Sequence, residues 1–185
     1  MENLSFAYDN TFNIHKDDER VVFHTCYRKE YQLVTGKIYS NVEDQNTVIG
    51  EVEMYLIDEN WLESNVFHLA EKVDPRLLKA IRSVRFQNPS NRLHRDPNTC
   101  LVYGRIAVLT QLRIFEQYQS KGLENHSLEQ VVEYLSQVLH VSFIIAPSVK
   151  EDCREEPDSY SQLLLEAGFE YTCGDKIPHL CKKVH

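Results

Sequence analysis

The sequence contains no stretch approaching the about twenty consecutive apolar residues that a membrane-spanning helix requires. Its first residues, MENLSFAYDNTF, lack the basic segment followed by an apolar core that marks a secretory leader. The two absences lead to the expectation of a cytoplasmic protein with no membrane partner. Closely spaced Cys-x-x-Cys pairs are missing too. The five cysteines, Cys26, Cys100, Cys153, Cys173 and Cys181, are odd in number and far apart, which speaks against a disulfide framework and for a reducing compartment. Cys153, Cys173, His179 and Cys181 can be drawn as a zinc set, but no short pair nucleates it, so no metal is expected. Basic residues are in deficit, 20 Lys and Arg against 28 Asp and Glu, for a formal net charge of −8. That balance disfavours a nucleic-acid partner held by a basic face. An acidic surface suits a cationic ligand such as an amine, and equally serves solubility alone. No internal repeat or low-complexity tract is present.

What is there is an ordinary globular composition. With 42% hydrophobic and 26% charged residues over 185 positions, the chain can build one well-buried core, and a single domain spanning 1–185 is expected. From Val21 the pattern is strand-like. VVFHTCY and YQLVTGKIY are β-branched and aromatic, and TVIGEVEMYLI alternates so that Val48, Gly50, Val52, Met54 and Leu56 share one face and Ile49, Glu51, Glu53, Tyr55 and Ile57 the other. SNVEDQN between the second and third strands has the composition of a hairpin loop, so an antiparallel meander is expected. HKDDER, residues 15–20, reads as a solvated turn before it.

After Asp58–Trp61, Val66, Leu69, Ala70 and Val73 recur at helical spacing. Asp74 and Pro75 then provide a cap and a first-turn proline for a second helix with the stripe Leu77, Leu78, Ile81 and Val84. QNPSNRLHRDPN, residues 87–98, is a loop in which Arg92, His94 and Arg95 could meet a substrate or phosphate, or simply cross the surface. VSFIIAP is apolar throughout and bounded by Pro147, as for a strand buried on both faces and parallel to a neighbour. Asp158 or Ser159 can cap a last helix with the stripe Tyr160, Leu163, Leu164 and Ala167, which Gly168 ends in a left-handed turn. FEYTC and PHLCKKV close the chain as a hairpin.

Between these lies CLVYGRIAVL, read as one strand, then a polar connection ending in YQSKGLEN, then an amphipathic helix carrying Leu128, Val131, Val132, Leu135, Val138 and Leu139. Strand, glycine turn and helix in that order make an anion site. The first N–H groups of a helix lack partners and carry partial positive charge, and a glycine lets a phosphate approach the backbone. Ser127 and Gln130 have capping-box spacing, which would start the helix a few residues later.

GRIAVL with YQSKGLE resembles the central motif of the GNAT acyltransferase superfamily, and YSQLLLEAGFEYTCGD resembles its last helix, Gly-Phe stop and following strand. The two matches cover roughly residues 100–184. The resemblance implies an α+β fold, a GNAT-like mixed sheet packed by helices: antiparallel meander, central strand-helix-strand crossover, C-terminal helix and hairpin. The chain departs from the usual order by placing its two early helices after the third strand.

The resemblance further implies binding of acetyl-CoA, or another acyl-CoA, as co-substrate and acyl transfer to an amine of a small molecule or protein. Backbone amides at Val108 and Leu109 would hold the thioester, and Gln119, Ser120, Lys121, Gly122, Leu123 and Glu124 the pyrophosphate. Glu124 stands where the family has a small residue, and the connection from Val108 to Gln119 is longer than usual. Leu164 replaces the tyrosine that protonates the leaving thiolate, while Tyr160 lies one turn earlier on the same face. Of the strand residues Tyr103, Arg105, Glu51 and Glu53, the first two are poor bases at neutral pH, and Glu53, nearer the strand centre, is the candidate base. Three readings follow: an N-acyltransferase, compatible with a homodimer; a catalytically degenerate GNAT-fold protein acting through protein-protein interaction; and an unrelated α+β binding module.

Overall fold

The computed structural model describes residues 7–12, 20–27, 31–42, 45–58, 66–86, 100–119, 122–147, 157–172 and 179–184. Strands β1 (Ala7–Phe12), β2 (Arg20–Tyr27), β3 (Gln32–Val42) and β4 (Gln45–Ile57) pair antiparallel in succession. The meander therefore has four strands. The short polar segment AYDNTF forms the first by pairing with β2, a tertiary choice that its own pattern does not announce. β3 and β4 also run into the expected SNVEDQN loop, with Val42 opposite Gln45.

Helices α1 (Val66–Val73) and α2 (Pro75–Arg82) follow the meander, as expected. Asp74 caps α2 by accepting from the Arg76 N–H at 2.7 Å. Val84 is not the end of the α2 stripe. It opens β5 (Val84–Phe86), which pairs parallel with β6 (Cys100–Val102) in a separate two-stranded sheet. CLVYGRIAVL is likewise two strands, because the chain breaks at Gly104, whose φ is +70° and where a Cβ would lie 2.6 Å from Ser142 Oγ. β7 then runs from Ile106 to Ile114, so the strand ends five residues beyond Leu109, and the apparently long connection is a continuation of it.

A 3-10 turn (Glu116–Tyr118) leads to α3 (Leu123–Gln137), then come β8 (Phe143–Pro147), α4 (Ser159–Glu166), β9 (Glu170–Thr172) and β10 (His179–Lys183). The main sheet has eight strands in the order β1-β2-β3-β4-β7-β8-β10-β9. Among the described strands of this sheet only β7 and β8 are parallel neighbours, and α3 is their crossover. This is the α+β mixed sheet that the resemblance implied: meander, one crossover, then a helix and a closing hairpin.

Each face of the sheet has its own core. On one, Ala107, Leu109, Ile144 and Ala146 pack with Leu128, Val131, Tyr134 and Leu135 of α3 and Leu164 of α4. Tyr134 stacks on Phe23 of β2 with ring centroids 4.0 Å apart, a contact of about 1 kcal/mol beyond its area. On the other face Tyr55, Ile57, Ile106, Val108 and Ile145 pack with Leu77, Ala80 and Ile81 of α2. Ile49 joins the first core although simple alternation assigns it to the opposite side. A bulge beside Ile38 and Tyr39 advances β4 by one residue there and so exchanges its faces.

Candidate functional site

The parallel ladder between β7 and β8 is short. Ile106, Ala107 and Val108 pair with Phe143, Ile144 and Ile145, and no further pair follows. β8 continues to Ala146 and Pro147 against β10, while β7 continues to Ile114 against β4. The two strands thus part like a fork whose vertex lies at Val108. Leu109 is the first residue past it. From Leu109 to Ile114 one edge of β7 faces the opening with no strand against it among the described residues.

A β-bulge sits just beyond the vertex. The β4–β7 register shifts between Glu53 and Met54, so that Gln111 faces Glu53, Leu109 faces Met54, and Thr110 is the extra residue. The Thr110 hydroxyl donates to the Glu53 carbonyl at 3.1 Å and to Glu53 Oε1 at 3.0 Å. Arg76, from the first turn of α2, donates from Nη1 to the Thr110 carbonyl and from Nη2 to Glu53 Oε1, both at 3.1 Å. Asp74 grips the same guanidinium through Nε and through Nη2 at 2.7 Å.

Burial works to raise the Asp74 carboxyl, but the Arg76 hydrogen bonds and charge outweigh it and hold the group below its ordinary value. Tyr55 lies beside this cluster. Its burial, with Glu53, Asp74 and Tyr31 close by, pushes its hydroxyl up to about 12 against the opposing Arg76 charge.

Beyond β7 the 3-10 turn returns the chain to Gly122, the N-cap of α3, at φ +106°. Among the described residues no side chain caps this end. The first backbone bond of the helix runs from His126 N–H to the Gly122 carbonyl, which leaves the N–H groups of Leu123, Glu124 and Asn125 without helical partners. α3 is the crossover that follows the C-terminal end of β7, the end toward which the fork opens.

The capping-box reading is therefore incorrect. Ser127 and Gln130 are buried inside α3, because Gly122 has already started the helix. Glu124 occupies the first turn, where the helix field favours a carboxylate. Gln119 donates its amide to the Ile114 carbonyl at 3.4 Å, closing the turn onto the strand end.

Tyr160 is in the first turn of α4 and packs against the core on the α3 face of the sheet. Its hydroxyl is buried and has no hydrogen-bond partner among the described residues. Burial, then the Asp158 charge, pushes its pKa well above that of a free phenol. Leu164 is fully buried core. Arg105 is remote from all of this: it bonds to Asp58 at 2.6 Å and to the Leu139 carbonyl at the opposite end of β7, and Tyr103 packs on Phe143 there.

Ser120, Lys121, Arg92, His94, Arg95, Cys153 and Cys173 lie outside the described residues, as does the 15–19 part of HKDDER. A cavity of about 350 Å³ between α3, the end of α4 and β10 is lined by Glu129, Glu133, Glu166 and Lys182. It runs along the C-terminal half of α3, beginning at Glu129, about 10 Å of helix from Gly122.

Among solved structures, the chain is similar to arylalkylamine N-acetyltransferase 2 from Aedes aegypti, with 13% identity over 82% of this chain and 73% of that one and a TM-score of 0.49. It is also similar to Arabidopsis thaliana NAA60 in complex with acetyl-CoA, with 12% identity over 80% and 73% and a TM-score of 0.45. A third is the loading GNATL domain of CurA from Lyngbya majuscula, with 13% identity over 81% and 76% and a TM-score of 0.40. These are likenesses of backbone course. No family model and no curated protein matches the chain.

The sequence pointed to Glu53 and Gly122 but not to Arg76, Asp74 or Thr110 as site residues. TQLRI, with its β-branched and alternating residues, was the signal that β7 continued. Nothing local marked Glu53 and Thr110 as partners of Arg76, from which they are 23 and 34 residues away.

Proposed function

We propose that the chain binds an acyl-CoA, most simply acetyl-CoA, in the fork between β7 and β8 and transfers the acyl group to an amine of a small molecule or protein. The fork is the observation that carries this reading. A linear pantetheine arm bears amide groups, and an open strand edge offers it N–H and C=O partners as it would an added strand. A diphosphate at the end of that arm suits the uncapped N-terminus of α3 beside Gly122. In this reading the amides of Val108 and Leu109 face the thioester, and the segment 119–124 holds the diphosphate.

Transfer forms a C–N bond and breaks the C–S bond, so the amine must lose a proton and the departing thiolate gain one. Glu53, on the strand beside the fork, is the proton acceptor, directly or through water. Tyr160 is the donor. A phenol is protonated at neutral pH, and this buried hydroxyl, without a partner among the described residues, is a donor that a ligand can satisfy. Thiol release from acetyl-CoA with a panel of amines tests the proposal. General acid or base assistance is typically worth about 10² to 10⁴-fold, so Tyr160→Phe and Glu53→Gln should each lower turnover by about that much with acetyl-CoA affinity nearly unchanged. Parental turnover in either variant removes that residue's role. The buried Leu164, at the position where the resemblance expects a proton donor, favours one other reading, a degenerate scaffold acting through protein contacts. Binding of acetyl-CoA with no thiol release to any amine would support it.

A further inference from the structure

The side chain of Arg76 joins α2 to both strands at the bulge. Its guanidinium is held from behind by Asp74, which receives Nε and Nη2 and also caps the helix through the Arg76 N–H. The free edge of the same planar group then meets the Thr110 carbonyl and Glu53 Oε1. Thr110 has no partner in the β4–β7 register, so Arg76 supplies a donor that the ladder does not. The seat of this clamp is firm: Leu77, Ala80 and Ile81 of α2 are buried in one cluster with Tyr55, Val108 and Ile145, the last two being the residues at the vertex of the fork.

We propose that Arg76, clamped by Asp74, is the positioning residue that sets the Thr110 bulge and the Glu53 carboxylate at the mouth of the fork. This rests on the reading of the fork as the acyl-CoA site. Arg76 is 46% exposed and Glu53 30%, and an ion pair of that kind adds little to global stability. Its effect therefore falls on geometry, where a displacement of about 1 Å can lower a rate by about 10²-fold.

The test compares Arg76→Met, which keeps the apolar stem and removes every donor, with Arg76→Lys, which keeps the charge but not the planar fork. The variants are measured for turnover, acetyl-CoA dissociation constant, melting temperature and hydrogen exchange across 109–112. The expected result is a fall in turnover of about ten- to a hundredfold in both variants. Exchange should be faster at the bulge, while affinity stays near the parent's and the melting temperature falls no further than in Asp74→Asn, which loses the same pair. Parental turnover in Arg76→Lys would show that only the charge matters and would overturn the proposal. So would exchange that matches the parent in Arg76→Met, or equal losses of affinity and melting temperature. If the parent itself neither binds nor turns over acetyl-CoA, the acyl-CoA reading fails, and the exchange comparison alone decides whether Arg76 holds the bulge.

Discussion

At the scale of single residues, Asp74 does the most with one side chain. It starts α2, orients Arg76 and is almost fully buried. Its folded pKa lies below the ordinary 3.8, so its charge contributes stability that is fully present above that value. The contribution is lost as pH falls through the lower, folded value. Asp74→Asn keeps a capping oxygen but loses the charge toward Arg76, and should cost on the order of 1 kcal/mol at neutral pH. Urea unfolding across the acid range should show this gap steady down to about pH 4 and closing below it. A gap that widens in acid would mean that the pair is not the source of the effect.

At the scale of elements, the start of α3 combines an opening for an anion with a residue that opposes one. Gly122 has open space where a Cβ would go, so the constraint there is its φ of +106° and not crowding. Gly122→Ala should cost about 1–2 kcal/mol through backbone strain and should weaken acetyl-CoA binding by reshaping the turn. Glu124→Ala removes a charge that repels a diphosphate and should tighten binding, since like charges near 4 Å repel by roughly 1–4 kcal/mol. Calorimetry on both variants checks this, and unchanged affinity in both would move the anion elsewhere.

The glycine, the Asp74–Pro75 start and the Gly168 stop were legible in the sequence because each is local chemistry: a backbone angle or a cap that one residue type satisfies. The end of β7 was not. Thr110, Gln111 and Arg113 look like a polar connection; the alternation of TQLRI hints at a strand, and pairing of Gln111, Leu112, Arg113 and Ile114 with β4 decides it. The bulge at Ile49, which exchanges the faces of β4, depends on cross-strand register in the same way.

At the scale of the whole molecule, the two faces of the sheet have different partners. α3 and α4 cover one, and α1 and α2, inserted after the meander, serve the other. The meander, the central crossover and the closing hairpin could be read in the sequence, because periodicity identifies elements and the two motifs place the crossover; the first strand could not. The fork could not be, since it exists only where the β8 pairing with β7 stops. No described helix is long and apolar enough to cross a membrane. The central claim is that this fork, and not the acidic cavity along the C-terminal half of α3, receives an acyl-CoA. Amide hydrogen exchange with and without saturating acetyl-CoA tests it most directly. Slowed exchange confined to 109–114 and 122–125 is the predicted result, with stabilisation of about 2.7 kcal/mol at a hundred times the dissociation constant. No binding, or protection at Glu129–Gln137 and Lys182 with the fork unchanged, would contradict it.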